Sequence, residues 1–235
     1  MFKEKLNKKL AAALSEHGFE EPKELQKKCI PKINGGADVI GIGPAGSGKS
    51  STIIISAIQK LGMAFEDAPR ALIIVADEVK ALEMKEQFKL LSRETDLRAE
   101  LAFDGGKIDA QTEAIYFGTD IVIGTAKRVL EIYFRKNFNL NKIKLFVIDD
   151  AEMIIKNALH GQIDRLALSL PKCQHLVFTN DLTPKIEKLI EKFIIAPTFD
   201  LAKCYKDATL VTPLIFVLSA GSDPVADFIK FAEEM

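Results

Sequence analysis

Short apolar runs rich in β-branched residues recur along the 235 residues, and most are followed by stretches whose apolar residues fall at helical spacing. The runs predict strands at 38–42, 71–75, 99–103, 120–124, 145–148 and 176–179. Helices are predicted over 49–61, 79–91, 126–135 and 184–192. The opening MFKEKLNKKLAAALSEHG mixes charge with apolar residues at helical spacing and has no continuous apolar core, so it predicts an amphipathic helix and not a signal peptide. Such alternation predicts an α/β fold of parallel strands with helices on both faces. Ligands of such sheets bind beyond the carboxyl ends of the strands, so the residues at those ends come first.

One strand end is unusually acidic. In LFVIDDAEMII, an apolar run gives way at once to Asp149, Asp150 and, one residue further, Glu152. A helix start alone would account for this, because first-turn carboxylates complement the positive end of the helix dipole. A second strand end shifts the balance. GPAGSGKS, Gly43 to Ser50, follows the run at 38–42 and fits G-x-x-x-x-G-K-[ST]. In such a loop the backbone N–H groups of Gly43, Ala45, Gly46, Ser47 and Gly48 face phosphates, Lys49 reaches the β- and γ-phosphates, and Ser50 offers its hydroxyl to Mg²⁺. The helix that follows points its positive end at the same anion. A phosphate loop also needs an acidic residue on a neighbouring strand for the metal and a carboxylate to orient water. Asp149 is the candidate for the first role and Asp150 for the second.

Composition narrows the classes without choosing among them. With 48% hydrophobic and 28% charged residues, the chain has enough apolar surface for a sizeable core. A formal net charge of −1 advertises no global attraction for nucleic acid, although the clusters Lys3, Lys5, Lys8, Lys9 and Lys27, Lys28, Lys32 are local basic patches. Cys29, Cys173 and Cys204 are too few and too dispersed for a disulfide framework or a zinc site, which fits a reducing compartment. No apolar run is long enough to span a bilayer. A soluble intracellular protein, cytoplasmic or nuclear, is expected.

Upstream of the loop, GFEEPKELQKKCIPKINGGADVIGIGPAGSGKS resembles the adenine-reading motif and phosphate loop of the DEAD-box ATP-dependent RNA helicases, matching at Gly18, Phe19, Pro22, Gln26, Ile30 and Pro31. The resemblance implies a first RecA-like domain (a P-loop NTPase fold) that binds ATP or ADP with Mg²⁺. It implies that Phe19 stacks on adenine, that Gln26 hydrogen-bonds its edge, and that Phe2 is an isolated upstream aromatic. Downstream, Gly105-Gly106 with Gln111 matches a glycine pair, and GTAKRVLEI keeps Thr125 and Arg128 of T-P-G-R. These imply an RNA-binding face at Gly105, Gly106, Thr125 and Arg128. KFIIAPTFD resembles the close of the domain, so the likeness covers residues 1 to about 199.

The departures are as specific. P-T-R-E-L-A has become ADEVKA, residues 76–81, which puts Glu78 where an arginine would approach RNA. D-E-A-D has become Asp149-Asp150-Ala151-Glu152, and S-A-T has become Thr179-Asn180-Asp181. By resemblance, Lys49 neutralises phosphate, Ser50 and Asp149 hold the metal, Asp150 orients water, and Thr179 with Glu152 relays closure to the RNA face. Residues 200–235 resemble a dynein heavy-chain segment leading into an AAA module, and their SAGSDPVAD lacks the Gly-Lys pair. The expected domains are therefore 1–199 and an appended strand and helix at 200–235. The expected function is ATP binding with weak or no hydrolysis in isolation, because the family's second RecA-like domain and its arginine finger are not in this sequence. A catalytically degenerate nucleotide-binding scaffold and a chimera carrying an AAA motor fragment are the alternatives.

Overall fold

The structure, a computed structural model, describes residues 6–19, 21–65, 68–135 and 138–194, with the backbone of two further strands at 198–204 and 211–216. Phe2 lies outside the described residues, as do 205–210 and 217–235 of the tail, SAGSDPVAD among them.

Eight strands form one sheet in the order β3-β4-β2-β5-β6-β1-β7-β8. They are β1 (Val39–Ile42), β2 (Ala71–Val75), β3 (Ala99–Ala102), β4 (Ile121–Thr125), β5 (Leu145–Ile148), β6 (Gln174–Thr179), β7 (Thr198–Cys204) and β8 (Val211–Phe216). The first seven are parallel to their neighbours, and β8 returns antiparallel to β7. β7 pairs with β1 from Val39↔Thr198 to Ile42↔Leu201, so it begins just before and runs past the boundary expected at residue 199. The six strands read from the sequence are all present, each within a residue or two of its expected limits.

Helices cover both faces, as parallel strands require. On one face lie α1 (Lys8–Glu16), α2 (Glu24–Asn34), α3 (Lys49–Leu61) and α4 (Glu78–Leu91). The other carries α6 (Ala126–Phe134), α7 (Ala151–Lys156), α8 (His160–Ser169) and α9 (Pro184–Ile190), while α5 (Ile108–Tyr116) follows the edge strand β3. Alternate strand residues divide between two cores: Ala71, Ile73 and Val75 face the first, Leu72 and Ile74 the second. Because both faces are dry, the central strands VIGI, ALIIV and LFVI are apolar throughout. Edge strand β3 contains the more exposed Glu100. Among the described residues no helix is long and apolar enough to cross a membrane.

This order fixes where chemistry can occur. β1, β6, β5 and β2 are consecutive neighbours, with Ile42 beside Thr179, Ile148 beside Val177, and Ile74 beside Ile148. The segments leaving their carboxyl ends therefore converge: the phosphate loop, Asn180, the Asp149-Asp150 pair and the start of α4.

Candidate nucleotide site

The phosphate loop is anchored where β1 ends, by the Gly43 N–H donating to the Thr179 carbonyl at 2.9 Å. Gly46 and Gly48 turn the chain with φ of 81° and 95°, a left-handed conformation that glycine adopts without a Cβ clash. Gly48 is the N-cap of α3, so the first N–H groups of that helix open onto the loop. Lys49 is only 7% exposed. Its ammonium donates to the Gly43 carbonyl at 2.8 Å, to Asn180 Oδ1 at 2.5 Å and, more weakly, to the Pro44 carbonyl at 3.4 Å, and it lies 3.9 Å from Asp150 Oδ1.

The acidic stretch joins the loop directly. Ser50 Oγ donates to Asp149 Oδ2 at 3.2 Å, across 99 residues of sequence. The other oxygen of Asp149 accepts the Asp150 N–H at 3.1 Å. None of the three carboxylates caps α7 from its N-cap position. Asp150 occupies that position at φ 51°, ψ 54° and makes no side-chain cap bond. Glu152 accepts instead from the Thr179 hydroxyl at 2.8 Å and the Asn180 N–H at 3.2 Å, which ties α7 to the end of β6. The helix-start account is thus insufficient: all three side chains face other strand ends.

Among the described residues two aspartates, Asp120 and Asp149, are fully buried, and their surroundings differ. Asp120, at the opposite end of the sheet, meets the Arg70 guanidinium at 2.7 Å and that of Arg98 at 3.1 Å, a structural clamp. Asp149 has no guanidinium. Burial, and then the neighbouring Asp150 charge, push its carboxyl up to about 6, against the partial relief of Lys80, Lys49 and the Ser50 hydroxyl. Lys80 is 3.8 Å from Asp149 and 3.6 Å from Asp150. Burial works against its charge, but the two carboxylates outweigh that and hold its pKa above the ordinary lysine value.

Ionisation of Asp149 therefore penalises the fold as pH rises from its ordinary pKa of 3.8 through 6, and the penalty persists above that. In metal-free buffer, Asp149→Asn is expected to stabilise the protein by about 3 kcal/mol at pH 8 and by almost nothing near pH 4. Thermal unfolding at the two pH values checks this. An equal gain at both would mean that the buried charge is not the cause.

Lys23, Gly46, Lys49, Ser50, Lys80 and Asp150 are among the residues around a cavity of about 410 Å³. Gln26 is buried beside it: its Oε1 accepts the Lys23 N–H at 2.7 Å and its Nε2 donates to Ser51 Oγ at 2.9 Å. An amide has two acceptor and two donor positions, so among the described residues one of each is left for a ligand. Phe19 is half-buried against the core cluster beneath α1 and α2. Ser47 Oγ and Glu152 Oε1 are buried and have no hydrogen-bond partner among the described residues. With the hydroxyl–carboxylate pair of Ser50 and Asp149, these orphaned atoms suit a ligand bearing phosphate and a hard cation. Mg²⁺ takes one or two carboxylates together with substrate phosphates, and among the described residues no cage of three or more His, Cys, Asp or Glu side chains forms.

The second predicted cluster forms at the ends of β3 and β4. Arg128 is 8% exposed and donates to the Asp104 and Gly106 carbonyls at 2.9 and 2.8 Å, to Gln111 at 3.0 Å and to Glu131 at 3.1 Å. Thr125 donates to Asp104 at 3.1 Å. A side chain at Gly105 would collide with Glu78, and one at Gly106 with Gln111. Two of these four Arg128 bonds hold the glycine loop, and a third reaches Gln111 beside it. Lys23, Ser51, Lys80 and Asn180 also line the nucleotide cavity, and the sequence motifs do not mark them as site residues. For Lys80 and Asn180 the available signal was position: Asn180 directly follows β6, which borders both β5 and β1, and Lys80 lies in the first turn of the helix after β2, which borders β5.

A profile of the DEAD/DEAH box helicase family matches residues 23–189. An ATP-dependent RNA helicase eIF4A from Eremothecium gossypii is 30% identical over 205 residues, covering 87% of this chain and 51% of that protein. The ATP-dependent RNA helicase DBP10 of Saccharomyces cerevisiae is 25% identical over 232 residues, or 98% of this chain and 23% of that one. In fold, the chain superposes on the crystal structure of a DEAD box protein from the hyperthermophile Methanococcus jannaschii with a TM-score of 0.79 at 23% identity, covering 83% of this chain and 53% of the other. The chain spans about half the eIF4A relative and less of DBP10.

Proposed function

This chain belongs to the DEAD/DEAH box helicase family, and from that premise we propose that it is the ATP-binding, amino-terminal RecA-like half of a divergent RNA helicase, with little hydrolysis of its own. The observation that carries this reading is the meeting of Ser50 with Asp149 at 3.2 Å beside the buried Lys49, which joins the phosphate loop to the acidic strand end in one cavity. Bound Mg²⁺ would neutralise phosphate charge there. Ser50 and Asp149 would hold it, Lys49 would move from Gly43 and Asn180 onto the phosphates, and Asp150 would orient water. The Glu152–Thr179 bond gives closure a route from α7 to β6. Single-stranded RNA and a second RecA-like domain, in cis or in trans, are the partners this assigns. The RNA face is weakened, because Glu78 stands over Gly105 where the family pattern has arginine, and a carboxylate repels phosphate.

A nucleotide-binding scaffold without turnover is the second reading, favoured by the short Asp150 side chain held beside Lys80. Base selectivity tests the nucleotide assignment that both share. The free acceptor and donor of the Gln26 amide match the N6–H and N7 of adenine, whereas guanine offers acceptors at both positions. ATP is expected to outcompete GTP by about tenfold or more, the worth of one or two buried hydrogen bonds. Gln26→Ala should erase most of that preference in a competition titration. A preference unchanged in the variant would remove Gln26 from the adenine site.

A further inference from the structure

We propose that Lys80 is a resident cation of the nucleotide site, taking over part of the charge neutralisation that a divalent ion gives a bound triphosphate and so lowering the Mg²⁺ requirement for nucleotide binding. The inference rests on the nucleotide-binding reading. Lys80 Nζ lies 3.8 Å from Asp149 Oδ2, the oxygen that also accepts the Ser50 hydroxyl at 3.2 Å, and 3.6 Å from Asp150 Oδ2. A divalent ion on the same oxygens would share them with a full positive charge. Conversely, nucleotide without metal would meet a site in which these carboxylates already have a counter-charge.

Helix stability does not explain the position. Lys80 is in the first turn of α4, where the dipole disfavours a cation. That turn is held in place by the Asp77 side chain accepting the Lys80 N–H at 2.9 Å, a bond to the backbone that any residue but proline would keep at 80. The side chain is partly buried, at 26% exposure, and lines the same cavity as Lys49 and Ser50. Together with Lys23 and Lys49 it gives that lining three ammonium groups against the carboxylates of Asp150 and Glu152. The P-T-R-E-L-A pattern has leucine opposite Lys80, so the pattern itself does not call for a cation there. An ammonium cannot replace the geometry of an octahedral metal. It can donate charge-assisted hydrogen bonds to phosphate oxygens.

Calorimetric titration of the full chain with ATP, in Mg²⁺ and again in EDTA, decides the matter when repeated with Lys80→Met and Lys80→Arg. Wild type and Lys80→Arg are expected to lose less than about tenfold in affinity without Mg²⁺, and Lys80→Met about a hundredfold or more, the scale of one desolvated charge pair. Lys80→Gln, neutral and polar, repeats the comparison should the Met variant not fold. An equal Mg²⁺ dependence in wild type and the neutral variants would overturn the role of Lys80 while leaving nucleotide binding intact. Absence of ATP binding by wild type in both buffers would overturn the nucleotide reading and this inference with it.

Discussion

Lys49→Ala is expected to lower affinity for ATP with Mg²⁺ by about a hundredfold or more, because a charge-assisted contact to phosphate in a desolvated site is among the strongest single interactions available. The wild-type ammonium is held by Gly43, Pro44 and Asn180. It is therefore placed beside the loop before any ligand arrives, and little side-chain entropy is lost when it turns to a phosphate. The same bonds imply a structural cost. Two loop carbonyls lose a donor in the variant, at about 1 kcal/mol each if water does not replace it. Thermal unfolding must accompany the titration so that loss of fold is not mistaken for loss of affinity. Equal affinities in two folded proteins would remove the phosphate-loop assignment.

Asp150→Glu is expected to speed phosphate release by about ten- to a hundredfold, most visibly when a helicase carboxy-terminal domain is supplied in trans, since a misplacement of about 1 Å can cost on the order of a hundredfold. The family pattern has glutamate here, and aspartate is one methylene shorter. Lys80 and Lys49 at 3.6 and 3.9 Å also hold the carboxylate among cations. In an assay where no second domain supplies an arginine, a further factor of about 10³ or more is expected to be lost, and turnover there should be barely detectable. The substitution carries a backbone penalty. Residue 150 has φ 51°, and glutamate tolerates the left-handed region less well than aspartate, at about 1 kcal/mol. Asp150→Asn should be slower than both. Equal rates for wild type, Glu and Asn would show that Asp150 has no part in catalysis.

The central strands were legible because they are buried on both faces. VIGI, ALIIV and LFVI are unbroken apolar runs with charged or glycine-rich ends, a pattern that a surface strand does not produce. α2 is not among the helices that the spacing predicts: Lys23 is a poor N-cap by type, and Pro31 lies inside the helix. α5 and α8 are short and lack strong start signals, with Lys107 and Leu159 at their N-caps and no side-chain cap bond.

At the site, Lys49, Ser50 and Asp149 could be read because each sits in or next to a strand-end motif with its own chemistry. Lys80 and Asn180 could not be read from local pattern. Their role depends on β2 lying beside β5 and on β6 lying between β5 and β1, neighbours that are distant in sequence. Local periodicity marks Lys80 as one more polar position on an amphipathic helix. The strand order turns it toward the aspartates.

A crystal structure of the chain with a non-hydrolysable ATP analogue and Mg²⁺ tests the central claim most directly. Phosphates are expected against the backbone N–H groups of Gly46 to Lys49, with the Lys49 ammonium transferred from the Gly43 carbonyl and Asn180 to the phosphates and adenine at Phe19 and Gln26. Analogue bound elsewhere, or Lys49 still on Gly43 and Asn180 with the nucleotide present, would contradict it.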